Sequence, residues 1–144
     1  SGYLEGDIHT YIHNSLAEGL GKIGVIISLS SDKQIDLSQI GKSLCMHIAA
    51  SSPQSISKDD LDESVINSER EIIVQQLKDI DKPEEILSKM IDGKINKFLE
   101  EVILLKQKFV INPELSIEKY LSEESSKLDS NIKIEKFIRF EIGQ

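Results

Sequence analysis

Residues 8–13 alternate along the chain: Ile8, Thr10 and Ile12 point one way, and His9, Tyr11 and His13 the other. A period of two is that of a half-buried strand. Gly19-Leu20-Gly21-Lys22 reads as a loop, after which Ile23, Val25, Ile27 and Leu29 line one face of a second strand, paired antiparallel with the first. From about Asp36 to Ala50 the period changes. Leu37, Ile40, Gly41, Leu44 and Ile48 recur at helical spacing, Asp36 can accept a backbone N–H at the start, and Pro53 bounds the end. Ser57-Lys58-Asp59-Asp60 resembles the start of a helix, with acids where the helix dipole favours them.

The stretch from about Glu63 to Ile80 is predicted helical, with Val65, Ile66, Ile72, Ile73, Leu77 and Ile80 apolar. Lys82-Pro83 reverses the chain, and proline suits a first helical turn because its missing N–H goes unused there. The next helix carries Leu87, Ile91, Ile95, Phe98, Val102 and Leu105. From Ile91 onward the steps are four, three, four, three, which is coiled-coil spacing. Gly93 lies inside at a cost of roughly 1 kcal/mol, so a local break there is an expectation. Two helices of about 18 residues joined by a tight turn make an arm of roughly 27 Å, with Ile73, Leu77, Leu87, Ile91 and Phe98 as its seam. Such an arm is too narrow to bury every apolar residue it carries.

Asn112-Pro113 marks a turn, and Ser116 can cap a short helix through about Lys127 with Leu115, Tyr120, Leu121 and Leu128 as apolar candidates. A last strand runs from about Ile132 to Ile142. Ile132, Ile134, Ile138, Phe140 and Ile142 share a face, Phe137 lies opposite, and Lys136 interrupts, which suggests a bulge there. The pattern is α+β: a small antiparallel sheet of about three strands packed with helices, plus a protruding antiparallel helical hairpin inserted at about 63–102 in a single domain of 144 residues.

Hydrophobic residues make up 39% of the chain, enough for a real core, and the net charge is −8. That charge and the scarcity of aromatics argue against direct nucleic-acid binding, which needs a basic footprint, and against an anionic membrane surface. A protein partner is compatible with it. Cys45 is the one cysteine, so no intrachain disulfide can form, which suits a reducing cytoplasm. No apolar run reaches membrane-spanning length. The chain starts Ser1-Gly2 rather than with Met, which favours a fragment of a longer protein.

Candidate chemistry is sparse. Gly19-Leu20-Gly21-Lys22-Ile23-Gly24 matches G-x-G-x-x-G, but a dinucleotide site needs a helix N-terminus after the glycines and here a strand follows. His9 and His13 share a strand face, yet a zinc site needs three or four ligands and no partner motif is present. Cys45 and His47, two apart on a helix, diverge, and His47 reads as a satisfied residue at the edge of the core. The cluster Asp59, Asp60, Asp62 and Glu63 lacks the glycine and spacing of a calcium loop. No Ser-His-Asp or Cys-His arrangement has supporting context. These residues predict no catalytic group, metal, cofactor or small-molecule substrate. The stripe of His9, Tyr11 and His13 stands out instead: if Ile8 and Ile12 face the core, it faces outward, as a contact surface, or as a sheet face that is solvated or covered by a loop.

Four stretches occur in fixed order: Met46-His47-Ile48-Ala49-Ala50-Ser51-Ser52-Pro53, Lys82-Pro83-Glu84-Glu85-Ile86, Glu101-Val102-Ile103-Leu104-Leu105 running on to Phe109-Val110, and Phe137-Ile138-Arg139-Phe140-Glu141-Ile142-Gly143. Between the second and third, Lys89-Met90-Ile91-Asp92-Gly93-Lys94 leads into Lys97-Phe98. This set resembles the dimerisation region of the elongation factor Ts family, from about Leu4 to Gly143. The resemblance implies a guanine-nucleotide exchange factor for elongation factor Tu, using no cofactor and making no covalent bond. It implies that Tyr11 and His13 match a Tyr-x-His segment whose histidine contacts elongation factor Tu.

The resemblance also has gaps. The family's Thr-Asp-Phe-Val motif, tied to disturbance of the nucleotide pocket, follows the strand equivalent to Val25–Leu29 in members with a single copy of this body. Here that place reads Ser30-Ser31-Asp32-Lys33-Gln34-Ile35, without an Asp-Phe pair. The expectation is a second copy whose motif-bearing first copy and helical N-terminal domain precede Ser1, and which is itself inactive in exchange. Lys108 stands where the family has proline. Two main classes of function remain, a module that binds elongation factor Tu and a structural homodimerisation module whose arm and sheet assemble subunits; a third, enzymatic class is kept only for completeness.

Overall fold

A computed structural model describes residues 7–14 and 22–142 of the chain. The expected loop at Gly19–Lys22 falls largely outside them. The chain divides into two compact units, Ser1–Ser52 with Lys108–Gln144, and Pro53–Gln107.

The first unit holds a three-stranded antiparallel sheet in the order β1-β2-β3, formed by β1 (Asp7–Asn14), β2 (Lys22–Ser31) and β3 (Ile132–Ile142), with α1 (Ser38–Ser51) and α4 (Ile117–Leu128). Val25, Ile27 and Leu29 of β2 are fully buried, as are Leu44, Cys45 and Ile48 of α1. The fold class is therefore the α+β arrangement that the periodicities predict. The Asp36 carboxylate accepts the backbone N–H of Ser38 at 2.9 Å, serving the start of α1 from just outside it. At the other end Ser52 takes a left-handed conformation, φ 48°, and its N–H closes on the Ile48 carbonyl at 2.9 Å. Ser116 caps α4 by accepting the Lys119 N–H at 3.1 Å.

One expectation fails in β3 and another in α4. The register passes from Ser28↔Lys136 to Leu29↔Ile134, so Glu135 is the extra residue of a bulge. The bulge inverts the alternation: Ile132 and Ile134 are buried beside α4, while Ile138 and Phe140 lie on the opposite, exposed face. The five apolar residues thus do not share one face. Leu128, expected in the core, is exposed, and Ile117 is fully buried in its place.

The second unit holds α2 (Glu63–Leu77), α3 (Glu84–Val102) and a single 3₁₀ turn at Leu104–Lys106. Its core consists of Leu61, Ile73, Leu77, Ile95, Leu99 and Ile103, with Leu87, Met90, Ile91 and Phe98 half-buried against it. Asp62, not the preceding Ser57–Asp60 segment, starts α2 by accepting the Ser64 N–H at 2.9 Å. Asp60 instead closes a turn, taking the N–H groups of Ile56 and Ser57 at 3.0 and 2.7 Å. α2 stops at Leu77, leaving Ile80 exposed. α3 runs through Gly93 without a break but ends at Val102, short of Leu105. The chain turns extended at Ile103 because it pairs there with Ser55, whose carbonyl accepts the Leu104 N–H at 2.8 Å.

Candidate partner-binding surface

The ladder decides which face of β1 is covered. His9 stands opposite Ile27 and Tyr11 opposite Val25, and residues paired across a ladder project to the same side. Ile27 and Val25 are fully buried beneath α1, so His9 and Tyr11 share that side and are half-buried. Ile8 is 71% exposed and Ile12 55% exposed. The expected phase is therefore inverted at His9 and Tyr11: their stripe is turned toward α1, and the isoleucines are turned away. The side chain of His13 lies outside the described residues.

His9 occupies a specific place on α1. Gly41 presents no side chain, and the His9 side chain fills the space a Cβ would take. Nε2 of His9 is buried without a hydrogen-bond partner, and the Cys45 thiol donates to the His9 carbonyl at 3.6 Å. Burial pushes that thiol up to about 11, so Cys45 stays neutral and unreactive. No group of three or more metal-ligating side chains occurs among the described residues. Nor does any described helix have the length and apolarity to cross a membrane.

The exposed face of the sheet carries an apolar patch that the pattern along the chain did not single out. Across it run Ile12–Gly24–Phe140 and Thr10–Ile26–Ile138. The Phe140 ring lies over Gly24, where a Cβ would come within 2.6 Å of the ring carbon Cε2. A glycine inside a strand marks such close approaches and was the signal available in the sequence. Of the proposed seam residues, Ile73 and Leu77 are buried in the second unit, and Leu87, Ile91 and Phe98 are half-buried around the same core.

Three of the four ordered stretches meet around α1. Nδ1 of His47 accepts the Val110 N–H at 3.2 Å, and the fully buried His47 ring lies 6.0 Å from Phe109, which stacks on Tyr120 at 4.3 Å. His47 is thus inside the core rather than at its edge. Arg139 donates through Nε and Nη2 to the Ala49 carbonyl at 3.2 and 3.1 Å, supplying a cation to the last turn of α1. The segment that replaces the Asp-Phe pair is fastened elsewhere. Asp32 accepts from the Ser130 hydroxyl at 2.6 Å and the Asn131 N–H at 2.9 Å, and Lys33 pairs with Asp129 at 2.8 Å.

Comparison with known proteins finds relatives along nearly the whole chain. The family profile described as "Elongation factor TS" matches residues 2–144. Proteins called "Elongation factor Ts" from Caulobacter sp. (strain K31) and Bartonella henselae are each 40% identical to the chain, over 96% and 97% of it. One of the same name from Rickettsia peacockii is 38% identical over 97%. The chain spans about half the length of these curated relatives, 45% of the first and 46% of the other two. With a matching profile from end to end and relatives at this identity, the chain belongs to the elongation factor Ts family.

Proposed function

We propose that this chain is a protein-binding portion of a translation elongation factor Ts, which binds elongation factor Tu and contributes to exchange of GDP for GTP. The observation that carries the reading is the family match over residues 2–144. Exchange of this kind is linkage: a factor that binds nucleotide-free Tu more tightly than loaded Tu must weaken nucleotide binding by the same factor. It calls for surface rather than reactive groups. The surface offered is the border of β1 with α1, where Tyr11 is half-buried and His13 follows two residues on. His9, seated on Gly41, supports that border rather than touching the partner. Asp32 has no Phe after it and is tied to Ser130 and Asn131, so the chain alone disturbs the nucleotide pocket little.

Calorimetric titration against elongation factor Tu, with stopped-flow release of labelled GDP, tests both halves of the reading. Binding with little acceleration is the expected result. Absence of binding would refute the partner, and acceleration matching a full-length factor would refute the division of labour.

A second reading, homodimerisation, is favoured by the exposed sheet face of Ile8, Ile12, Ile138 and Phe140. Under it the native chain sediments as a dimer and an Ile8→Lys/Ile138→Lys variant as a monomer. A native monomer at high concentration would remove it.

A further inference from the structure

His9 of β1 meets α1 at Gly41 and, through its carbonyl, at Cys45, one helical turn further on. A Cβ on Gly41 would overlap His9 Cγ and lie 2.6 Å from its Cβ and 2.7 Å from its Cδ2. The obstruction is at the root of the side chain. Rotation about χ1 moves the ring but leaves Cβ in place, so relief requires the β1 backbone to move off the helix. Glycine inside a helix costs about 1 kcal/mol relative to alanine, and here the close approach is what requires it. Nε2 of His9 finds no hydrogen-bond partner, so shape fixes that edge of the ring. On the other face of β1, Ile8 and Ile12 are exposed. The distance of β1 from α1 is therefore set from the α1 side, at His9. Tyr11 is two residues on, about 7 Å along the strand, and a shift at His9 carries over to it.

We propose that Gly41 and His9 are positioning residues for partner binding. Their contact sets the spacing between β1 and α1, and with it the presentation of Tyr11 and His13 to elongation factor Tu. The inference rests on the partner surface proposed above. Neither residue touches the partner; each acts through the placement of the strand.

The test titrates four proteins against elongation factor Tu: the native chain, Gly41→Ala, His9→Gly, and the double variant. Melting temperatures and amide spectra are followed in parallel. Gly41→Ala should bind roughly tenfold more weakly, the loss of about one anchor residue. His9→Gly leaves a gap over the helix and should also bind weakly. In the double variant the new methyl group occupies the vacated space, and affinity should recover above both single variants. Its stability should not recover in step, because glycine in a strand lowers stability. Affinity and melting temperature then move apart, which a merely structural role would not produce. If Gly41→Ala fails to fold, the comparison of the double variant with His9→Gly still decides. Native-like binding by Gly41→Ala, or a double variant no better than His9→Gly, would overturn the inference while leaving the partner reading intact. A native chain that does not bind would overturn both.

Discussion

Replacing His47 by alanine tests whether the family's Met46–Pro53 stretch works as a structural hub. His47 is fully buried on α1, its ring faces Phe109, and its Nδ1 accepts the Val110 N–H at 3.2 Å. Truncating a buried ring removes transfer energy and leaves a cavity, and large-to-small changes of this size cost about 2–4 kcal/mol. The lost hydrogen bond adds less. Val110 is an exposed residue, so water can take up part of its freed N–H, and about 0.5–1 kcal/mol is a fair allowance. The total is about 3 kcal/mol, a large part of the roughly 5–15 kcal/mol that holds a domain together. His47→Asn separates the two contributions, because its amide oxygen can stand near the position of Nδ1. It should be about 0.5–1 kcal/mol less damaging than His47→Ala. Urea unfolding followed by far-ultraviolet circular dichroism measures both, with tyrosine emission reporting on Tyr120 beside Phe109. A loss below about 1 kcal/mol for His47→Ala would refute the hub, since surface changes are that small. Equal losses for the two variants would show that the Val110 hydrogen bond contributes nothing.

Gly93→Ala should stabilise the second unit by about 0.5–1 kcal/mol in urea melts, because Gly93 is helical, exposed and has open space where a Cβ would go. Leu99→Ala should cost about 2–5 kcal/mol and its neighbour Phe98→Ala less than the roughly 3–5 expected of a fully buried phenylalanine, since Leu99 is buried and Phe98 only half so; the reverse order would refute the core assignment. The backbone N–H of Ser64 and then its hydroxyl hold the Asp62 carboxyl below its ordinary value of 3.8. The unfolded chain then binds the proton more readily, so the cap's contribution is complete above that value and is lost as pH falls below it; melts of native and Asp62→Asn protein should converge in that acid range, and a constant difference would refute the linkage.

Much of this fold was legible from local chemistry. A period of two marked β1 and β2, a period near 3.6 marked α1 and the helices of the second unit, and Ser116 announced the start of α4 through a bond to a residue three positions on. Such signals need only neighbours in sequence. The same holds for the break in β3: Lys136 interrupting an apolar alternation pointed to a bulge, found one residue away at Glu135.

The chain by itself also determined membership of the family and the residues around which the first unit is built. His47, Phe109, Val110 and Arg139 belong to the stretches that carried the resemblance, and they converge on α1. Only the tertiary structure decided which way β1 faces. Its two faces, Ile-Thr-Ile and His-Tyr-His, are both amphipathic enough to be buried, so local pattern cannot choose between them. The choice falls to the partner strand, where Val25 and Ile27 are buried under α1 and carry Tyr11 and His9 to the same side. It falls also to Gly41, far along the sequence, whose missing side chain makes room for an imidazole. Period is a property of the backbone and is written locally; the covered face depends on what packs against it, and that is settled only when distant segments meet.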